Sequence, residues 1–190
     1  MFIRRLQDLP AAISSSRAPA GVQTRIVAVD GAGAAGKTSL AEWLARTFDS
    51  QVVHTDDFAS WEEPVEWWPR LLELVLEPLA AGRAARYEPT AWGGKKRAPV
   101  QIEPSGIVVL EGVTASRHAF QPYLTYSIWI ETPRDLRLQR GLRRDGPEAR
   151  AQWEEWMNAE DRYIERERPA DRADVVLRGD CGCWTFEASA

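Results

Sequence analysis

Gly31 to Thr38 reads GAGAAGKT: two glycines enclose four small residues, and a lysine and a threonine follow. This is the G-x-x-x-x-G-K-[ST] spacing of a phosphate-binding loop. Small side chains let successive backbone N–H groups turn inward around phosphate oxygens, and a helix starting at the lysine adds the positive end of its dipole. The expected receptor for ATP comprises Gly31, Ala32, Gly33, Ala34, Ala35, Gly36, Lys37, Thr38 and Ser39. In such loops the lysine reaches the β- and γ-phosphates and the hydroxyl ligates Mg²⁺, roles that fall here to Lys37 and Thr38. Lysine is otherwise scarce: among 24 basic residues it occurs only at Lys37, Lys95 and Lys96. Elsewhere the chain uses arginine for positive charge, so Lys37 is selected for a slim ammonium.

Carboxylates supply the next candidates. The segment HTDDF delivers Asp56 and Asp57 after a short apolar run, at the carboxyl end of a strand, where ligands bind in open α/β folds. Transfer of a phosphoryl group to an alcohol needs a carboxylate to accept the hydroxyl proton. One aspartate points into the site and the other away. Glu111 follows the run IVVL and can hold Mg²⁺ directly or through water. Glu62, Glu63 and Glu66 lie just beyond Phe58 and would repel a dianionic acceptor, so a neutral alcohol is expected rather than a nucleoside monophosphate.

RDLRLQRGLRRDG, Arg134 to Gly146, concentrates guanidiniums three and four apart, with Leu136, Leu138 and Leu142 to pack beneath them. On a helix they share a face and could close over a transferring phosphate, excluding water. The nine tryptophans include a cluster, Trp61, Trp67 and Trp68, soon after the two aspartates. That cluster reads either as core or as pocket lining; Trp153 and Trp156 share a predicted helix and read as core.

These groups need elements to hold them. Strands are predicted at Arg25–Asp30, Gln51–Thr55, Ile107–Leu110, Tyr126–Ile130 and Asp174–Leu177, from β-branched runs closed by turn residues. Helices are predicted at Lys37–Phe48, at Pro69–Gly82 with a kink at Pro78, and over Leu136–Arg144 and Glu148–Arg166. Alternating strands and helices imply crossover connections, a parallel five-stranded sheet with helices on both faces, and a three-layer α/β fold. Residues 83–104, with a Gly-Gly turn between extended segments, read as a hairpin insertion on the carboxyl edge. Residues 1–190 form one domain, with 1–23 as an N-terminal extension and 134–150 as an arginine-rich lid.

A net charge of −4 argues against nucleic-acid or anionic-membrane binding through a general electrostatic field. No apolar run approaches a membrane span, and no apolar stretch follows Arg4 and Arg5 as a secretory signal requires. Cys181 and Cys183 are too few for a disulfide framework or a complete metal shell and read as reduced thiols of a cytoplasmic protein. A homo-oligomer is left open.

A phosphate loop alone names no reaction. There is no N-K-x-D guanine signature. The four stretches taken in order resemble the uridine kinase-like nucleoside kinases of the P-loop kinase superfamily, over roughly Arg25 to Gly179. That family's D-[SD]-F segment is matched by Asp56-Asp57-Phe58, its E-G pair by Glu111-Gly112, and its R-L-x-R-R-[IV]-x-R-D lid by RLQRGLRRD, Arg137 to Asp145. RADVVLRG, Arg172 to Gly179, is similar to its A-D-[VI]-[VI] strand. The resemblance implies Asp56 as the base, Thr38 and Glu111 as Mg²⁺ contacts, and Arg140 and Arg144 as lid contacts beside Lys37. It places the acceptor against Asp57, Phe58, Trp67, Tyr87 and Trp92. The family's uridine-reading Y-D-[FY] segment, followed by histidine and arginine, is replaced by Tyr87-Glu88 and PTAWGGKKR, so uridine itself is not carried over. The expected activity is ATP- and Mg²⁺-dependent phosphorylation of a hydroxyl, most readily of a nucleoside-like compound. The alternatives are a phosphotransferase acting on a non-nucleoside metabolite or antibiotic, and a nucleotide-binding regulator without an acceptor.

Overall fold

The structure, a computed structural model of the chain, describes residues 6–60, 65–90 and 97–180, with the backbone of 185–187. Trp61, Glu62, Glu63, Trp92, Lys95, Lys96, Cys181 and Cys183 lie outside the described residues. The strands are β1 (Arg25–Gly31), β2 (Gln51–His54), β3 (Ala85–Tyr87), β4 (Val100–Ile102), β5 (Ile107–Glu111), β6 (Leu124–Glu131), β7 (Val175–Arg178) and β8 (Thr185–Glu187). The helices are α1 (Leu9–Ser15), α2 (Lys37–Phe48), α3 (Trp68–Leu71), α4 (Glu77–Ala80), α5 (Arg134–Asp145), α6 (Arg150–Glu167) and α7 (Pro169–Arg172).

One sheet runs in the order β2-β5-β1-β6-β7-β8. Its first five strands are parallel, as the alternating pattern requires, and β8 adds an antiparallel edge on β7. Side chains of β1 alternate between the two faces. Ile26 and Ala28 enter one core with Val53, Leu71, Val75, Leu79 and Phe120. Val27 and Val29 enter the other with Leu40, Leu44, Val175 and Leu177. A strand buried on both sides is therefore apolar almost throughout, which is why it is legible as a run. The architecture is a three-layer α/β P-loop fold.

Two segments differ from expectation. Residues 1–23 were read as an extension, but Leu9, Ala12 and Ile13 of α1 are buried in the second core. Arg25 fastens this helix by donating to the carbonyls of Ile13 and Ser16. The predicted kink at Pro78 is instead a π-helical turn, Leu72–Leu76, closed by the Glu77 N–H donating to the Leu72 carbonyl. Pro78 has no N–H and would collide with a carbonyl four residues back; the wider turn removes both demands. Residues 85–87 and 100–102 pair antiparallel as the expected hairpin. Among the described residues no helix is long and apolar enough to cross a membrane.

Candidate active site

β1 ends at the phosphate loop, and α2 begins at Lys37 with Gly36 as its N-cap in the left-handed region, φ 106°, a conformation open chiefly to glycine. Gly33, Ala34, Gly36, Lys37, Thr38 and Ser39 line a cleft of about 740 Å³. Ala32 and Ala35 turn into the protein and are buried, and Gly31 closes β1. Lys37 is itself buried; its Nζ donates to the Ala32 carbonyl at 3.0 Å, which holds the ammonium across the loop.

The ends of β2 and β5 bring the carboxylates to the same cleft. Thr38 Oγ1 donates to Glu111 Oε1 at 3.2 Å, and His54 Nδ1 donates to Glu111 Oε2 at 2.7 Å. Burial would raise the Glu111 carboxyl, but His54, Lys37 and Thr38 outweigh it and hold it below the ordinary range. The same hydrogen bond raises His54. β2 ends at His54, one residue earlier than expected, and Thr55–Asp57 form a 3₁₀ turn that separates the two aspartates. Asp56 lines the cleft with Lys37, Glu111 and Arg144. It is open to the cleft yet ringed by protein on its other sides. That enclosure raises its pKa, overriding the pull of Lys37, and Glu111 adds to the rise.

Asp57 lies behind the wall, 2% exposed, with Tyr87 Oη donating to its Oδ2 at 3.0 Å and Arg97 bound to its Oδ1. Phe58 packs between Tyr87 and Trp67, at ring centroids of 4.7 and 6.0 Å. Asp57, Phe58, Trp67 and Tyr87, expected at the acceptor, thus do not line the main cleft. Asp57 and Tyr87 satisfy one another inside the protein, while Phe58 and Trp67 face a smaller pocket of about 420 Å³ with Arg70 and Thr90. Among the described residues the aromatic rings bordering the main cleft are Trp153 and Trp156 of α6; as helical spacing suggested, Trp153 is buried and Trp156 packs against a core cluster.

α5 lies over the loop. Arg140 donates to the Gly179 carbonyl at 2.7 Å and reaches the Ala34 carbonyl at 3.5 Å. Arg144 is bidentate on Asp145, at 2.8 and 2.9 Å, and its guanidinium sits 5.5 Å above the Trp153 ring. α6 is drawn in by Gly141, where a Cβ would meet the Trp153 ring at 2.4 Å. Two acidic residues that the sequence reading did not single out organise this region. Asp30, fully buried, accepts from the N–H groups of Gly31, Thr114 and Ser116, from Ser116 Oγ, and from Tyr163 Oη at 2.9 Å. Glu160, also fully buried, accepts from Gly33 N–H at 2.8 Å, Trp156 Nε1 at 2.7 Å and Arg137 Nη1 at 3.2 Å. A usable signal was present: Trp153, Met157, Glu160 and Tyr163 recur at helical spacing, placing one carboxylate within an apolar stripe. Arg97, also on the cleft, carried no such signal.

Thr38 and Glu111 offer Mg²⁺ a hydroxyl and a carboxylate oxygen, the hard donors it prefers, while substrate phosphates complete such sites. Among the described residues no cluster of three His, Cys, Asp or Glu side chains could hold a metal ion by itself.

No family model matches the chain. It is similar to the uridine kinase of Yersinia pestis (strain Pestoides F), 29% identical over 148 residues, 65% of this chain and 69% of that one. It is also similar to the uridine kinase of Klebsiella pneumoniae subsp. pneumoniae, 26% identical over 147 residues with the same coverage. Among solved structures it is similar to a possible uridine kinase from Bacillus stearothermophilus, with TM-score 0.67 and 21% identity over 90% of this chain and 95% of that one. The YGR205w protein superposes with TM-score 0.56 at 11% identity, over 97% and 95%. The three-layer fold and the phosphate loop are features the chain shares with P-loop kinases. In sequence it is similar to curated uridine kinases over 65% of its length.

Proposed function

We propose that the chain is an ATP- and Mg²⁺-dependent kinase that transfers the γ-phosphoryl group to a hydroxyl of a small neutral molecule, a nucleoside or nucleoside-like compound. The observation that carries this reading is Asp56 facing the same cleft as the phosphate loop, Lys37 and Arg144. Binding of a nucleotide alone requires no carboxylate opposite the loop; phosphorylation of an alcohol does.

In this reading the loop N–H groups and the α2 N-terminus take the nucleotide phosphates, and Lys37 exchanges the Ala32 carbonyl for phosphate oxygens. Thr38 and Glu111 would hold Mg²⁺, which would supply positive charge against the negative charge of the phosphates. Asp56 orients the acceptor hydroxyl and takes its proton; its raised pKa makes it a better base than an ordinary surface carboxylate. Arg140 and Arg144 offset charge on the transferring group, Arg144 by exchanging its exposed partner Asp145 for phosphate oxygens. Glu66 no longer argues strongly about the acceptor, since Arg117 and Arg166 already pair with it at 3.7 and 3.0 Å.

The same cleft supports a second acceptor class. Its half-buried ring is Trp156, beside Gln152 and Arg97, and a non-nucleoside ring would stack there as readily. The deciding experiment incubates the protein with ATP, with and without Mg²⁺, against nucleosides, vitamins and aminoglycosides, and follows ADP release. Acceptor- and Mg²⁺-dependent ADP with a nucleoside supports the leading reading. A response only to another class moves the acceptor, and ADP release independent of any acceptor overturns the kinase.

A further inference from the structure

We infer that Asp57 is the positioning residue of the acceptor side: it locks the 83–104 insertion to the turn that carries Asp56 and so aims Arg97 into the cleft at the acceptor. This rests on the reading of Asp56 as the group that faces the acceptor hydroxyl.

Among the described residues Asp57 has three hydrogen-bonding partners beyond its own turn, and these come from the insertion. Tyr87 Oη donates to Oδ2 at 3.0 Å, Arg97 Nη1 to Oδ1, and the Thr90 N–H to the Asp57 carbonyl at 2.6 Å. A carboxylate this deeply buried is costly unless its oxygens are paired. Removing Arg97 or displacing β3 would leave it unsatisfied, so the turn and the insertion hold each other. Arg70 adds a second tie to the same stretch, donating to Thr90 Oγ1 at 3.2 Å and to the Glu88 carbonyl.

The consequence lies one residue away and on the other side of the wall. Asp56, fixed by the same 3₁₀ turn, lines the cleft, and Arg97 lines it too. A guanidinium has five N–H donors. The one on Asp57 sets the plane of the group, which remains half-exposed with its outer part in the cleft. Because Asp57 balances its charge, Arg97 suits hydrogen-bond acceptors of a neutral molecule, such as ring carbonyls or sugar oxygens, rather than a second phosphate. The base and an acceptor-reading donor are thereby held at a fixed spacing by one hidden carboxylate.

The test varies acceptor and ATP separately for Arg97→Ala, Arg97→Lys and Asp57→Asn, and measures hydrogen–deuterium exchange of the same proteins without substrates. Arg97→Ala should raise the acceptor KM about 10-fold or more, the worth of a hydrogen bond from a charged donor, with the ATP KM within about 2-fold. Arg97→Lys should recover part of that loss. Asp57→Asn, which keeps an oxygen for Tyr87 but loses the ion pair, should raise the acceptor KM, lower kcat, and speed exchange in residues 55–58 and 85–102 together. Residues 31–38 should exchange as in the wild type. Equal effects on both KM values, or unchanged exchange in those two segments, would overturn the inference. If no compound accepts phosphate, the kinase reading falls by itself. The positioning role is then judged by exchange, where Arg97→Ala and Asp57→Asn must loosen the same two segments or it fails as well.

Discussion

Glu160 Oε1 accepts a hydrogen bond from the Gly33 N–H at 2.8 Å, joining α6 to the phosphate loop across 127 residues of sequence. Its other oxygen holds Arg137 of α5. The shape of the loop therefore depends on the two helices that lie over it.

Glu160→Ala should destabilise the protein by about 3–5 kcal/mol, because it leaves Arg137 buried without its close carboxylate. Asp161 stands at 3.9 Å and is half-exposed, a poor substitute. Glu160→Gln keeps one acceptor and should cost less. Urea denaturation of both variants checks this; a loss under about 1 kcal/mol in Glu160→Ala would mean the buried pair contributes little net stability.

Lys37→Ala should abolish ADP release. Lys37→Arg should fail badly as well, since a planar guanidinium cannot occupy the buried place from which Nζ reaches the Ala32 carbonyl. Full activity in Lys37→Arg would remove the claim that the residue is selected for its shape.

Arg140 and Arg144 should separate kinetically. Arg140 holds backbone carbonyls at Ala34 and Gly179, so Arg140→Ala should raise the ATP KM as well as lower kcat. Arg144 faces Asp56 across the cleft, and Arg144→Ala should lower kcat by about 10³-fold, as loss of a charge-neutralising arginine does, with little change in ATP affinity. Identical profiles for the two variants would refute this division, and an unchanged kcat in both would leave α5 as a solvated helix face.

The parts of this site that were legible in the sequence are those set by local spacing. The phosphate loop, the span of α2 and the acid at the end of β5 follow from short-range patterns with one physical solution. That two adjacent aspartates diverge also follows from adjacency, although a 3₁₀ turn achieves it rather than a strand. Contacts between distant segments were not legible. Nothing local to Arg97 indicates that it meets Asp57, and Tyr87 appears exposed or buried only once the insertion is folded back. The tryptophans show the same limit: period 3.6 places Trp153 and Trp156 toward the interior, but not whether a neighbouring helix or a cleft meets them there. Trp153 meets both, Gly141 on one side and the loop on the other.

Asp56 yields the sharpest prediction, because its two properties oppose each other. Its enclosure by protein raises the folded-state pKa above the ordinary carboxylate value, against the pull of Lys37. A carboxyl with a folded pKa above its unfolded one costs stability at higher pH, and the cost vanishes as pH falls through the folded pKa. Asp56→Asn is nearly isosteric and removes the charge. It should therefore raise Tm at pH 7, and the two proteins should converge near about pH 4, where the unfolded carboxyl also takes up its proton. Activity should move the other way, with kcat lower by about 10²- to 10⁴-fold, the usual worth of a positioned base. The acid limb of kcat/KM, which reports ionisation of the essential base in the free enzyme, should lie above the ordinary carboxylate range in the wild type and disappear in Asp56→Asn. Thermal melts across pH and a pH–rate profile check both halves. A lower Tm at pH 7 with kcat intact would make Asp56 a structural acid and remove the base from this site.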